Sequence, residues 1–500
     1  MSSYESLVTL LICVFSLLFL QVLNIRWIWN LVFLMMIGIP LAQVSAAETV
    51  TIDLAVNKGV ARNVGTGFLG DISSVNPPAS VVDPLKPKMF RGNVQNCFDT
   101  DSRSRALGAT CQVMLSWGRW WRAPFPGDGG DWTEWLNFVG TTVQTAKNRG
   151  LKLHWDIWNE PDSTNYWNPA VGGFNTTAGR DQFHETWTRT VRKIRSIDPN
   201  AIIVGPSYAF IGNQGTGLNS FLLYARDHYD AAGRNVLPDI LAWHEFEGAE
   251  ALTRNVSTVH QFMTANGIKI PAISINEYMP FAIPTPAILV SYIAAIQRSG
   301  VESASHACWP ESEIVTNGGN CGNYSLDGVL TNATQLPRSQ WWAYKFYADI
   351  TGTLVDVTRQ GRTDAVAGLN SGARVARILV GGDYKSVTPP TSVDVVVKNI
   401  SAASNLPSGG KVRVVVQRIA NFGKNTMSAP QGLINPDTKN YYTDYTVSSG
   451  QIIISLAGYD SNSAYTITLS PPGGVSVPEP TPRAPSNLRV TKLSGFFQIL

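Results

Sequence analysis

Two stretches of the sequence place a glutamate directly after an apolar run. In LHWDIWNEPD, residues 153–162, Glu160 precedes a proline, and in PAISINEYMP, residues 271–280, Glu277 follows an asparagine as Glu160 does. A carboxyl group in an apolar setting has a raised pKa and can act as a general acid, whereas an ionised carboxylate can act as a nucleophile. A salt-bridged structural glutamate is the alternative for each residue taken alone. Together they predict acid–base and nucleophilic chemistry if the fold brings the two side chains together.

Eight short apolar runs alternate with amphipathic segments over residues 63–350. The runs are VGTGFLG, KMFRG, CQVMLSWG, LHWDIWNE, AIIVGPS, DILAWHEF, AISINEY and ASHACWP. Alternating strands and helices predict a parallel sheet, and eight such repeats predict an α/β fold of the (β/α)8 or TIM-barrel type. An open, doubly wound sheet is the alternative.

The strand containing Glu160 indicates which side chains face the barrel interior. Because alternate residues of a barrel strand face inward, His154, Asp156, Trp158 and Glu160 are predicted to do so, with Trp158 raising the pKa of Glu160. Glu160 then ends the fourth strand and Glu277 the seventh, at the end that carries the active site in barrel enzymes. Two inward carboxylates across one barrel mouth are what glycoside hydrolysis requires, and we expect a separation of about 5–5.5 Å, the retaining spacing.

The two motifs resemble those of clan A of the glycoside hydrolases. Within the clan, DIWNEPD and INEY are most similar to the acid/base and nucleophile motifs of glycoside hydrolase family 39, the family of β-xylosidases and α-L-iduronidase. Asn276 stands where that family usually has Thr, and Tyr278 where it usually has Trp or Phe. The resemblance covers about residues 50–470. It implies a retaining glycosidase with Glu160 as acid/base and Glu277 as nucleophile.

Further residues are predicted to contact a carbohydrate substrate. Asn159 is expected to bind a sugar 2-hydroxyl, Arg91 to hold Glu277 ionised, and His244 to bind substrate or steady Glu277. A structural role is the alternative for each. The predicted substrate-binding set is completed by three aromatic residues, Trp309, Tyr278 and Trp117, the last within the WGRWW run that we expect to form a sugar platform.

Composition excludes several other functions. The net charge is +3 with 15% charged residues and no basic run, which gives no electrostatic case for nucleic acid. GTGFLG matches a dinucleotide-binding pattern, but two prolines follow within ten residues and prevent the helix that this site requires. HEFEG lacks the second histidine of a zinc-protease helix. No cofactor or metal is expected. The alternatives to a secreted glycosidase are an endo-glycanase acting on a wall polysaccharide and an inactive carbohydrate-binding barrel.

The first 47 residues have the composition of a targeting segment. Two apolar runs, residues 7–23 and 27–41, precede the small residues 44–47. This pattern predicts a signal peptide with cleavage near Ala46 or Ala47, hence a secreted protein. A membrane anchor with the barrel outside is the alternative.

Cysteine spacing agrees with export. Beyond residue 47 the chain has four cysteines in two close pairs, and we predict Cys97–Cys111 and Cys308–Cys321 disulfides, with other pairings left open. No pair has the CxxC spacing of a zinc site. Asn-X-Ser/Thr sequons permit glycosylation.

After the barrel the helical pattern disappears. Runs such as SVDVVVKNI and KVRVVVQRI predict a β-sandwich over residues 351–470, which a strand within residues 48–62 is expected to join. Residues 471–485 form a predicted Pro-rich linker. Residues 486–500 are similar to the first strand of a fibronectin type III module, too short to complete one.

Overall fold

A computed structural model describes most of the chain after the predicted leader. The described residues are 47–70, 72–163, 165–212, 217–279, 285–308, 322–331, 334–403, 405–421, 431–432, 442–473, 490–493 and 496–499. The predicted leader therefore lies outside them, apart from residue 47. None of the helices in these ranges has the length and apolar character needed to cross a membrane.

The predicted eight-stranded barrel is confirmed. After β1 (Glu48–Val60), the barrel strands are β2 (Gly67–Phe68), β3 (Met89–Gly92), β4 (Thr110–Met114), β5 (Leu153–Asp156), β6 (Ile202–Tyr208), β7 (Ile240–Glu245), β8 (Ala272–Tyr278) and β9 (Ser303–His306). Each strand pairs in parallel with the next, and Phe68 of β2 pairs with His306 of β9. This last pairing closes the sheet and excludes the open, doubly wound alternative.

Helices follow the barrel strands as the alternating pattern predicted. Those of the described barrel are Ala79–Val82, Val94–Ala106, Thr133–Arg149, Thr177–Ile197, Leu218–Asp227, Ala249–Ala265, Pro286–Arg298 and Ser339–Asp349. The helix Thr133–Arg149 ends at Gly150, which adopts the left-handed conformation that terminates helices. Trp155, Phe183 and Val191 belong to the apolar core that includes the strands and these helices.

The strands after the barrel form a β-sandwich made from one continuous sheet. They are β10 (Thr353–Gln360), β11 (Thr363–Asn370), β12 (Val375–Gly382), β13 (Ser392–Lys398), β14 (Lys411–Ile419), β15 (Gln431–Gly432), β16 (Tyr442–Thr446), β17 (Ile452–Ala457) and β18 (Ala464–Ser470). The order is β15-β14-β18-β12-β11-β10-β1-β13-β17, with β16 on β14. Val412 of β14 and Ile452 of β17 share one core, so the sheet folds over on itself.

The two ends of the described chain also contain strands. β1 pairs antiparallel with β10 and parallel with β13, and so connects the chain before the barrel to the sheet after it. Near the other end, β19 (Val490–Leu493) and β20 (Phe496–Ile499) pair antiparallel with each other. The segment predicted to be the first strand of a module thus contains two paired strands.

A barrel helix packs directly on the sandwich. Gly381 of β12 lies so close to the helix Pro286–Arg298 that a Cβ atom there would come within 2.5 Å of the Ala287 carbonyl oxygen. Beside this contact, Arg298 Nη1 donates to Asp364 Oδ1 at 2.6 Å. Asp364 is almost fully buried, and a buried carboxylate is tolerated only when it is paired. The ion pair therefore helps fix the helix to the sheet.

Arg298→Met should lower the free energy of unfolding by about 3 kcal/mol, because it leaves the buried Asp364 carboxylate without its main partner. Lys58→Met is the matched control, since Lys58 forms a more exposed ion pair with Asp356 and should cost at most about 1 kcal/mol. Urea unfolding followed by fluorescence measures both. Equal losses in the two variants would contradict the role assigned to Arg298.

Candidate active site

The centre of the barrel mouth is a buried arginine. Arg91 of β3 donates from Nε to Asp156 Oδ2 at 2.7 Å, from Nη1 to Glu277 Oε1 at 2.6 Å and from Nη2 to Asn159 Oδ1 at 2.9 Å. The Arg91 side chain is excluded from solvent. The predicted contact with Glu277 is therefore present. The same guanidinium also orients Asn159 and links the second, fourth and seventh barrel strands.

Glu160 is held in the mouth by the backbone beyond β5. Its φ angle is 42°, a left-handed conformation that is uncommon outside glycine and is found at functional sites. The Glu160 N–H donates to the Ser207 carbonyl of β6 at 2.9 Å. Two residues later, the Asp162 carboxylate accepts the Ala209 N–H at 2.8 Å. The loop bearing Glu160 is thus tied to the end of the fifth strand.

His244 lies between the two glutamates. Its Nδ1 is 2.7 Å from Glu160 Oε1, and its Nε2 is 3.7 Å from Glu277 Oε1. Nε2 has no hydrogen-bond partner among the described residues. Carboxylate oxygens of Glu160 and Glu277 lie within 4.8 Å of each other. The structure therefore brings together both predicted catalytic residues and the predicted histidine.

The surroundings shift the pKa values of these three groups. Burial raises the pKa of Glu160 to about 7, against a smaller opposing effect of the Arg91 charge. Burial also raises the pKa of Glu277, but here the directly bonded Arg91 cation favours the ionised form. Burial lowers the pKa of His244 to about 4, so the imidazole is neutral at neutral pH. Glu277 therefore has the Arg91 cation as its direct partner, whereas Glu160 has the neutral ring of His244.

The two glutamates open into a cavity of about 390 Å³ with an aromatic wall. Trp117, Trp121 and Tyr166 line it and contact one another: the centroids of the tilted Trp117 and Trp121 rings are 5.1 Å apart, and those of the T-shaped pair Trp121 and Tyr166 are 4.7 Å apart. Of the predicted platform, Trp120 instead packs in the core against Trp135. The cavity therefore combines apolar ring faces with a few polar groups, as sites for small molecules do.

Tyr278 is not brought to the cavity, contrary to its prediction as a substrate-binding residue. It is buried, and its hydroxyl donates to the Gly65 carbonyl at 2.6 Å and pairs with Tyr344. The cause is a register shift in β8, where Ile275 pairs with Trp243 but Glu277, two residues on, pairs with His244. The extra residue of this bulge turns Glu277 inward and Tyr278 outward.

Trp158 is likewise displaced from its predicted place beside Glu160. Regular strand pairing ends at Asp156, so the alternation does not extend to Trp158, whose ring packs against Trp135 and Trp167. Trp309 and Cys321 lie outside the described residues, and their roles stay predictions. The Cys97–Cys111 disulfide is confirmed, and Cys308 is disulfide-bonded.

Sequence reasoning missed the polar residues that support this centre. Ser207 Oγ donates to Asp156 Oδ1 at 2.8 Å, and the Asn276 amide donates to Ser207 Oγ at 2.8 Å and to Asp156 Oδ2 at 3.2 Å. Ser116 Oγ accepts the Asn159 N–H at 3.1 Å. The only signal for this network in the sequence was the alternation that predicted Asp156 to face the barrel interior.

The cluster also has ligand atoms close enough for a metal ion. Glu160, His244 and Glu277 each offer one atom within 4.8 Å of the others. However, the Arg91 guanidinium lies 2.6 Å from Glu277 Oε1 and places a positive charge where a cation would bind. Because like charges repel at this distance, the neighbours favour an acid–base pair over a cation site.

The fold and the site define a (β/α)8-barrel protein with two neighbouring carboxyl groups at its mouth. No protein-family model matches the chain. A curated relative, the 3-O-alpha-D-galactosyl-alpha-L-arabinofuranosidase of Bifidobacterium longum subsp. longum, is 23% identical over 367 residues, which cover 69% of this chain. The chain spans only 30% of that relative's length.

Solved structures share the fold over most of the chain. N2152 from Neocallimastix frontalis superposes with a TM-score of 0.68 at 24% identity, covering 85% of this chain and 100% of that one. A monomeric β-xylosidase from Caulobacter crescentus has a TM-score of 0.58 at 14% identity over 85% and 100% of the two chains. A GH39 (glycoside hydrolase family 39) enzyme from Xanthomonas axonopodis pv. citri has a TM-score of 0.58 at 13% identity over 87% and 100%. These likenesses confirm the fold expected from the family resemblance.

Glu160→Gln should stabilise the protein relative to wild type more at pH 8 than at pH 4. Because the pKa of folded Glu160 is raised from 4.5 to about 7, its contribution to stability is fully present below pH 4.5 and is lost as the pH rises through 7. Glutamine does not titrate, so the difference in unfolding free energy should change by about 3 kcal/mol across this range. Urea midpoints measured from pH 4 to 8 check this.

Glu247→Gln provides the control, because that carboxylate is more than half exposed. The pH-dependent change should be larger for Glu160→Gln than for this variant. A constant difference for Glu160→Gln would contradict the raised pKa.

Proposed function

We propose that the protein is a retaining glycosidase that hydrolyses O-glycosidic bonds by double displacement. The observation that carries the proposal is the pair Glu160 and Glu277, whose carboxylate oxygens lie within 4.8 Å of each other at the barrel mouth. Retaining enzymes hold their two carboxyl groups about 5–5.5 Å apart, whereas inverting enzymes leave room for a water molecule at about 6.5–9.5 Å. The short separation supports covalent catalysis.

In the first step, Glu277 attacks the anomeric carbon and the glycosidic C–O bond breaks. Glu160, protonated because of its raised pKa, transfers its proton to the departing oxygen. Arg91 favours the ionised form of Glu277 that attack requires. Asn159, whose Oδ1 accepts from Arg91, lines the cavity, where its amide group is suited to bind the 2-hydroxyl of the sugar.

In the second step, Glu160, now ionised, removes a proton from water. The resulting hydroxide attacks the anomeric carbon, the bond to Glu277 breaks, and the sugar leaves with its original configuration. Glu160 regains its proton, and Glu277 regains its charge beside Arg91. Both groups thus return to their starting states.

His244 can keep one protonation state through both steps. A neutral imidazole carries one N–H. With this N–H on Nδ1, the ring donates to Glu160 Oε1 at 2.7 Å whether Glu160 is ionised or carries its proton on Oε2. A proton on Oε2 then points away from His244 and can pass to the departing oxygen.

The substrate class is a carbohydrate, supported by the aromatic wall and by the names of the similar proteins. The curated relative is named an arabinofuranosidase and one structural neighbour a β-xylosidase. We extend the proposal to a pentose at the bond that is cleaved. Action outside the cell is supported by the Cys97–Cys111 disulfide, because such bonds persist in oxidising compartments.

A screen of aryl glycosides tests the activity directly. We expect release of 4-nitrophenol from the β-D-xyloside or the α-L-arabinofuranoside, with the β-D-glucoside as a hexose comparison. Absence of turnover on all aryl glycosides and on plant polysaccharides would favour the alternative of an inactive carbohydrate-binding barrel.

Glu277→Ala should abolish turnover on every substrate, because no glycosyl-enzyme forms without its carboxylate. Glu160→Ala should still release 4-nitrophenol in a first turnover, since this leaving group needs little protonation, and should then accumulate the covalent intermediate. Added azide should restore its turnover and give a glycosyl azide of retained configuration, identified by NMR. Retained product from Glu277→Ala, or inverted product from Glu160→Ala, would show that the two roles are exchanged.

The wild-type kcat/KM should fall about tenfold per pH unit above about pH 7 for a substrate with a poor leaving group. The reason is that the Glu160 proton is lost as the pH rises through its pKa of about 7. In Glu160→Ala, assayed with 4-nitrophenyl glycoside in single turnovers, this fall should vanish. If the activity of the variant falls above about pH 7 as it does in wild type, the pH dependence arises from a group other than Glu160.

A further inference from the structure

A second depression on the protein surface adjoins the active-site cavity. This outer groove has a volume of about 480 Å³ and is lined by Asn93, Gln95, Trp117, Arg119, Glu134 and Phe138. Asn93, Met114 and Trp117 line both the cavity and the groove. The two spaces are therefore adjacent, with Trp117 at the boundary between them.

Trp117 is suited to contact a ligand at this junction. Its side chain is 45% exposed, whereas large apolar side chains in the barrel are mostly buried. An indole face packs against the C–H groups of a pyranose or furanose ring while leaving the hydroxyls free to find polar partners. Beside it in the groove, Arg119 and Glu134 form an exposed ion pair at 3.0 Å, which offers donors and acceptors for sugar hydroxyls.

The aromatic wall belongs to the side of the cavity that bears Glu160. Tyr166 follows Glu160 on the same loop and contacts Trp121. Because the acid/base residue protonates the leaving oxygen, the leaving group lies on its side. The wall and groove are therefore placed to hold the leaving portion of the substrate.

We propose that the outer groove binds the leaving-group sugars of an oligosaccharide or polysaccharide, with Trp117 as their stacking platform. This inference depends on the glycosidase function proposed above. It makes a chain of sugars, and not a simple glycoside, the preferred substrate. It also predicts that kcat/KM rises with the number of sugars after the cleaved bond until the groove is filled.

The test compares Trp117→Ala with wild type on substrates of increasing length. The probes are 4-nitrophenyl β-D-xyloside with β-1,4-xylo-oligosaccharides of two to five residues, and 4-nitrophenyl α-L-arabinofuranoside with the corresponding α-1,5-arabino-oligosaccharides. We expect the ratio of kcat/KM for the tetrasaccharide to that for the aryl glycoside to fall about tenfold, since an exposed aromatic anchor contributes more than about 1 kcal/mol to binding. Trp117→Phe keeps an aromatic face and should recover most of the ratio.

Tyr229→Ala is the matched control, because Tyr229 is also an exposed aromatic residue, at 50%, but lines neither the cavity nor the groove. Its ratio of kcat/KM values should equal that of wild type. Melting temperatures of all variants distinguish a loss of substrate binding from a loss of folding stability. If wild type turns over the substrates and Trp117→Ala leaves the ratio of kcat/KM values unchanged, the proposed role of the groove is wrong and the glycosidase proposal stands. Absence of wild-type turnover on both probe series would overturn the groove together with the pentosidase proposal.

Discussion

The arrangement of the barrel mouth depends on satisfying one buried guanidinium. Arg91 is charged and excluded from solvent, so its donors must find acceptors inside the protein. Asp156, Asn159 and Glu277 supply them, from the fourth and seventh strands and the loop after the fourth. Asp156 is in turn fixed by Ser207 of the fifth strand. Moving any of these strands would leave a buried charge unpaired, and this requirement holds the two glutamates at a fixed separation.

That fixed geometry gives two chemically identical side chains different properties. Glu277 accepts a hydrogen bond from Arg91 at 2.6 Å, which favours its charge, while Glu160 contacts the neutral ring of His244 at 2.7 Å. Burial then raises the pKa of Glu160 to about 7. When different environments move the pKa values of two carboxyl groups apart, one site can hold a protonated acid and an ionised nucleophile at the same pH. The left-handed backbone conformation at Glu160 contributes to this geometry, because it positions the side chain beyond the end of β5.

Much of this could be predicted from the sequence, but not the local departures from regular strands. The barrel followed from eight apolar runs, and Glu160 and Glu277 from their place at the ends of the fourth and seventh. The period of two failed for Trp158 because pairing stops at Asp156, and the expected substrate contact of Tyr278 is absent because the bulge in β8 turns its side chain away from the cavity. Both depend on contacts with neighbouring strands, which a single strand's pattern does not encode.

The energetics of the site also bear on whether the barrel only binds sugar. Binding needs ring faces and hydrogen-bonding groups, which Trp117 and Tyr166 already provide at the cavity wall. It does not need a carboxyl group kept protonated near neutral pH, an arrangement that destabilises the fold once that group ionises. Ionisable groups perturbed in this way concentrate at catalytic centres, where proton transfer makes use of them. Glu160 bears this penalty within 4.8 Å of an oxygen of a carboxylate held by Arg91, and this arrangement supports the proposed proton transfer and covalent attack over recognition alone.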